Sequence, residues 1–322
     1  MPRSLIRKNP SDFKTLALFV EATAEGLSYQ SVGMPLNFAQ TLQKRRQVDV
    51  ADTGRFGLEL ANLGVSVRLT LQWQGRDYWV LVRQRRQDRG DVVLKLISGY
   101  VPAHEVNLPL HTAIQEVAEE CLLETPEGWL GGRFNETWLP APYISALHYR
   151  EALPFRLTPN SGAARPVRCG SQPLLERPRA YVHLPTASLQ LVYDLRLEVP
   201  KEAKSLSLFH VDERLEGDQL VARLDRKRPD LYLIPLTDGQ PCAEIYTLSK
   251  DTLHAASTRG LHLAESFALQ EGWVVREERI RWKDWLKQQG LSEPGKASRL
   301  KRLTGKARQM FRKVVKSKSP SP

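Results

Sequence analysis

The stretch from Gly99 to Leu123, GYVPAHEVNLPLHTAIQEVAEECLL, constrains the fold more than any other part of the chain. An apolar run, Val92-Val93-Leu94-Lys95-Leu96-Ile97, leads into Ser98-Gly99. A loop containing Glu105 follows, and then Leu110, Ala113, Ile114, Val117 and Cys121 recur at helical spacing. A short apolar run giving way to a 3.6-residue period predicts a strand, a loop and an amphipathic helix. Residues three and four apart share a helix face, so Glu116, Glu119 and Glu120 project together. Three carboxylates on one patch repel each other unless something positive sits among them. A hard divalent cation such as Mg²⁺ or Mn²⁺ carries that charge and accepts oxygen ligands. The competing reading, a solvated acidic helix face, needs no cation; the strand and loop that precede the helix favour the first.

These residues resemble the signature of the Nudix hydrolase family. That signature runs glycine, five residues, glutamate, seven residues, Arg-Glu, an apolar residue, any residue, Glu-Glu, any residue, Gly and an apolar residue. Gly99 and Glu105 keep its spacing, and Gln115 to Leu123 follow its second half. Gln115 stands where the family has Arg and Leu122 where it has Gly, and the segment between Glu105 and Gln115 is two residues longer. The resemblance implies that Glu116, Glu119 and Glu120 hold Mg²⁺ or Mn²⁺ and are the catalytic carboxylates. It makes Glu105 a supporting carboxylate and Gly99 the residue that permits the turn from strand to loop. It implies metal-assisted attack of water on a phosphoanhydride in a nucleoside diphosphate linked to another moiety. A further carboxylate from beyond the helix often serves as base in that family, and Glu213 and Glu216 are candidates. The changes at Gln115 and Leu122 support a second expectation, a catalytically weak or inactive Nudix fold that binds a nucleotide, nucleic acid or protein partner.

From Gly64 a period of two appears, with Val65, Val67, Leu69 and Leu71 alternating with polar residues, as in a half-buried strand. Gly75-Arg76-Asp77 turns it back into Tyr78–Arg83 as a hairpin, ahead of the strand that feeds the helix. Leu189–Val199, Leu206–Val211 and Leu231–Leu236 read as later strands. Residues 11–25, 35–47, 249–257, 262–270 and 273–289 read as helices, and residues 136–145 as an extended, proline-interrupted strand. Residues 151–180, rich in proline, read as a long irregular loop whose Arg165, Arg168, Arg177 and Arg179 either clamp a phosphate or simply solvate the loop. Trp138, Tyr143 and Tyr149 are candidates for stacking on a base, or for the core. The expectation is an α+β protein: an N-terminal helical extension (1–59), a Nudix-like mixed sheet flanked by helices (60–290), and a linker with a basic tail (291–322).

No run of 18 apolar residues occurs, so no spanning helix is expected. The N-terminal residues show no apolar signal core, and the three scattered cysteines form no zinc or disulfide pattern, which makes the cytoplasm the expected compartment. The net charge of +11 is concentrated: residues 296–318 hold ten Lys and Arg and no acid. The body is near neutral, so any attraction to polyanions resides in the tail, where Leu300, Leu303, Ala307, Met310, Phe311 and Val314 also fall close to one helical face. Deleting residues 296–322 is expected to abolish retention on heparin and anionic vesicles while leaving turnover of a small nucleotide unchanged. Retention in the intact chain should fall steeply with salt, as counterion release requires. Equal retention of the truncated chain would reject the assignment.

Overall fold

The computed structural model describes residues 3–9, 13–85, 92–160, 164–216, 219–268 and 270–292; the basic tail lies outside them. Among the described residues the chain is a mixed α+β protein dominated by strands, with three α-helices and no closed barrel. No helix there is long and apolar enough to cross a membrane.

The alternating stretch forms the strand Asn62–Trp73, and its buried set shows why it sits at the centre. Val65, Val67 and Leu69 are completely enclosed, but Ser66 and Thr70 on the other face are buried as well. The strand is therefore covered on both sides, not half-buried. Along one edge it runs parallel to Ser188–Glu198, with Leu191 opposite Val65. It also forms the expected hairpin with Arg76–Arg85 around Gln74 and Gly75. The strand Ile97–Tyr100 pairs with its first half, which places Gly99 opposite Val65. Helix α2 (Pro109–Glu120) then packs across Ile97–Tyr100 and Asn62–Trp73. Its apolar residues Ala113, Ile114 and Val117 join the main core cluster.

Several expectations are corrected. Residues 14–22 form a strand, not a helix. Leu18, Val20 and Ala22 point inward, while Phe19 is 40% exposed. That strand belongs to a separate sheet of five strands, together with Leu27–Asn37, Phe56–Leu60, Val167–Cys169 and Gln172–Pro173. The N-terminal extension is thus mainly sheet, and its helix is α1 (Phe38–Lys44), capped by the Asn37 side chain on the Gln40 amide. The supposed loop at 151–180 contains Tyr149–Pro159, a strand paired on both edges. Its register against Gly128–Phe134 shifts between Leu130 and Gly132, and this irregularity accommodates Pro154. Residues 246–255 form a hairpin turned by Lys250 and Asp251, both at positive φ, instead of a helix. At 262–268 a short strand and a 3₁₀ turn replace the expected helix. Within 136–145 only Thr137–Trp138 is extended. The C-terminal helix is confined to α3 (Trp282–Gln288), because Val274–Val275 and Arg279–Arg281 are strands.

Leu191, on Ser188–Glu198 opposite Val65 of the central strand, is fully enclosed. Leu191→Ala is expected to lower unfolding free energy by about 2–5 kcal/mol, since the surrounding sheet cannot collapse into the space. Urea denaturation measures this, and a loss within error of zero would contradict the central packing.

Candidate functional site

Two routes of chain converge at the C-terminal half of α2. Helix α2 stops at Glu120, and Cys121, already extended, begins the strand Cys121–Thr125 without an intervening turn. Leu122, in the signature's glycine position, is consequently a strand residue opposite Phe209, buried in a satellite apolar cluster with Leu5 and Trp129. That pairing brings in the strand Ser207–Glu216, and His210 Nδ1 lies 3.2 Å from the Glu120 carbonyl at the helix end. Further along the same strand stands Glu213. Gln219–Leu224 pairs with it, and the N-terminal strand Arg3–Lys8 pairs in turn with Gln219–Leu224. This puts Lys8 into the site.

The result is a mixed-charge cluster. Lys8 Nζ lies 3.5 Å from Glu119 Oε2 and 3.5 Å from Glu213 Oε1, bridging helix and strand. Lys95 Nζ lies 3.3 Å from Glu120 Oε1 and donates to the Ser98 carbonyl (3.2 Å) and hydroxyl (3.0 Å). The Ser98 amide points at the other Glu120 oxygen at 3.4 Å. Glu116 packs against Gly99 so closely that a Cβ on residue 99 would collide with its carboxylate. Gly99 lies inside the strand Ile97–Tyr100 with no left-handed φ, so the glycine is required by this close approach and not, as expected, by a turn from strand to loop. Burial, then the charges of Glu120 and Glu119, push Glu116 well above the ordinary carboxylate range. Burial also raises Glu119, partly offset by Lys8. For Lys8, burial opposes the charge, but Glu213 and Glu119 outweigh it and its pKa is raised.

The other expected residues are placed as follows. Glu105 lies in the 3₁₀ turn before α2 and is buried; it accepts from the Thr112 hydroxyl at 2.6 Å and lies 2.8 Å from His111 Nδ1. It ties the turn to the first part of the helix and makes no ion pair with the site lysines. Glu216 is paired with Arg223 at 2.7 Å, which leaves Glu213 as the carboxylate that joins the cluster. Tyr143 is fully buried and donates to the Glu119 carbonyl at 3.2 Å, a core role. Trp138 lies under the Arg133 guanidinium, and Tyr149 lines a small apolar pocket behind α2. Ala118 and Cys121 line the same pocket, on the helix side away from the glutamates. Arg165 stacks on Trp273, and Arg179 faces Asp194 at 3.6 Å. No ion pair among the described residues joins Arg165, Arg168, Arg177 or Arg179 to Glu116, Glu119, Glu120 or Glu213. Cys121 is enclosed, and burial, then the charge of Glu120, push its thiol up to about 12. Lys8 and Lys95 were missed by the sequence reading. Lys95 carried a signal, as a lone cation in an apolar strand aimed at an acidic helix; Lys8 carried none.

The donor set fits a hard cation in kind. It is all carboxylate oxygen, with like charges crowded beside the buried Glu116. In the present rotamers, however, no group of three or more His, Cys, Asp or Glu among the described residues is close enough to hold an ion. The lysines hold Glu119, Glu120 and Glu213 instead. No protein-family model matches the chain, and no curated protein matches it in sequence.

A stability measurement tests this electrostatic picture. Glu116 and Glu119 are raised in the fold, so their protonated forms are favoured there. The associated stability is complete below the ordinary value of 4.5 and is lost as pH rises through the raised values. Glu116→Gln removes one of these groups, so its stability relative to the parent should improve as pH rises above the ordinary carboxylate value of 4.5. A pH-independent difference in urea midpoints would place Glu116 in water.

Proposed function

We propose that this chain is a Nudix-type hydrolase that cleaves a phosphoanhydride in a nucleoside diphosphate linked to another moiety. The observation that carries the reading is the packing of Gly99 on Glu116, beside Glu119 and Glu120, with Glu213 brought to the same patch. Far apart in sequence, the glycine and the first helix glutamate are both signature positions, and their contact gives the spacing a physical purpose. Glu116, Glu119 and Glu213 would hold Mg²⁺ or Mn²⁺, with Glu120 kept in place by Lys95 and the Ser98 amide. When bound, the ion supplies charge neutralisation for the pyrophosphate and a lowered pKa for the attacking water. In the reaction a water oxygen bonds to phosphorus, the bridging P–O bond breaks, and the water proton passes to a carboxylate. Lys95, with its ammonium fixed by Ser98, would orient Glu120.

A second reading has its own support. Two ammonium groups already neutralise much of the acidic patch, and Gln115 adds no charge where the family has Arg. Both facts favour a Nudix-type fold that binds a nucleotide or partner without hydrolysing it.

Incubation with Mg²⁺ or Mn²⁺ and a panel of nucleoside diphosphate derivatives separates the two. Hydrolysis releases a monophosphate, and Glu119→Gln should then reduce turnover at least about 100-fold while leaving the melting temperature equal or higher. A nucleotide that raises the melting temperature without product release supports the second reading. Unchanged turnover in Glu119→Gln would reject the site.

A further inference from the structure

The two lysines of the acidic centre are held very differently. Lys95 and Glu120 are nearly enclosed, their side chains 13% and 16% exposed. Its three ammonium donors meet three oxygens, from Glu120, the Ser98 carbonyl and the Ser98 hydroxyl. Such a group is a fixed part of the structure. Lys8 and its partners Glu119 and Glu213 are 37%, 29% and 31% exposed. Its two contacts are long, and pairs this exposed to water are weak. Lys8 also ends a strand that pairs with Gln219–Leu224, so its backbone is anchored while its ammonium is free to swing on a four-carbon stem.

Position adds to this. Lys8 is the group that joins the carboxylate from α2 to the carboxylate from Ser207–Glu216, which is the geometry required of an ion shared by both. A single positive charge there satisfies two carboxylates and leaves Glu116 without an ion pair among the described residues. A divalent ion would satisfy more oxygens with more charge. We propose that Lys8 is a tethered cation occupying the divalent-ion position between Glu119 and Glu213, so that Mg²⁺ or Mn²⁺ enters only by displacing it. The inference rests on the metal-site reading above and adds what sets the affinity of that site. Every metal-binding event carries the cost of moving Lys8, and the apparent affinity falls by the fraction of molecules in which the ammonium is in place.

Calorimetric titration of the full-length chain with MnCl₂ and with MgCl₂ tests this without reference to turnover. Lys8→Met keeps most of the stem and the strand pairing but removes the charge, and it is expected to bind either ion at least about ten-fold more tightly than the parent. Lys8→Gln, a second neutral variant, should show the same gain should the first fold poorly. Lys8→Arg should bind as the parent does, and adding Glu116→Gln to Lys8→Met should remove the gain. Equal or weaker binding in both neutral variants overturns the inference, and it does so while leaving the metal site intact if the parent itself binds. Absence of binding in the parent and in both neutral variants overturns the metal reading and this inference together.

Discussion

Charge balance around the second helix governs how this end of the molecule is built. Carboxylates cannot be crowded at the edge of a core without compensation, because the low-dielectric side strengthens repulsion that water would damp. Here Glu116, Glu119, Glu120 and Glu213 are met by Lys8 and Lys95, and Glu116 moves toward its neutral form. The groups gathered around the helix come from different strands: Lys8 from Arg3–Lys8, Lys95 from Val92–Lys95, and the further carboxylate Glu213 from Ser207–Glu216. The strands are far apart in the chain. The site therefore exists only when the large sheet is assembled.

The sheet meets this demand through its most buried strand. Asn62–Trp73 is covered on both faces and holds Ile97–Tyr100 in register, so Gly99 is presented rigidly to α2. Glu105 secures the start of the same helix through Thr112 and His111, and His210 meets its end. With both ends tied and Ala113, Ile114 and Val117 in the core, the helix has little freedom to rotate. Its glutamates stay on one face, so neighbouring groups, not helix motion, decide which charges they meet.

The chemistry proposed for this centre would turn on which cation occupies it. Lysine ammoniums are part of the fold and cost little entropy to bring in, whereas a free ion must be captured from solution but carries twice the charge. Lys95 is enclosed and fully partnered, and it acts as a permanent element. Lys8 is half-exposed and loosely paired, which leaves room for exchange. The proposed hydrolase and the proposed non-hydrolytic binder differ mainly in the outcome of that exchange.

By itself the sequence determined the local pieces whose cause is local. The hairpin at 62–85, the strand–loop–helix order from residue 92 to 120 and the strands at 188–198 and 231–237 follow from residue periodicity and turn residues. So does the shared face of Glu116, Glu119 and Glu120, since helical geometry alone places residues three and four apart together. Strand Lys14–Ala22 was read as a helix because a bulge between Thr15 and Ala17 and an exposed Phe19 break the alternation and mimic helical spacing. The strand at 149–159 was hidden by prolines that a register shift absorbs. Only the tertiary structure chose Glu213 over Glu216, set Gly99 under Glu116 and delivered Lys8 to the acidic patch. Those choices depend on strand pairings between distant segments, and no short-range pattern records which strand a given edge will accept.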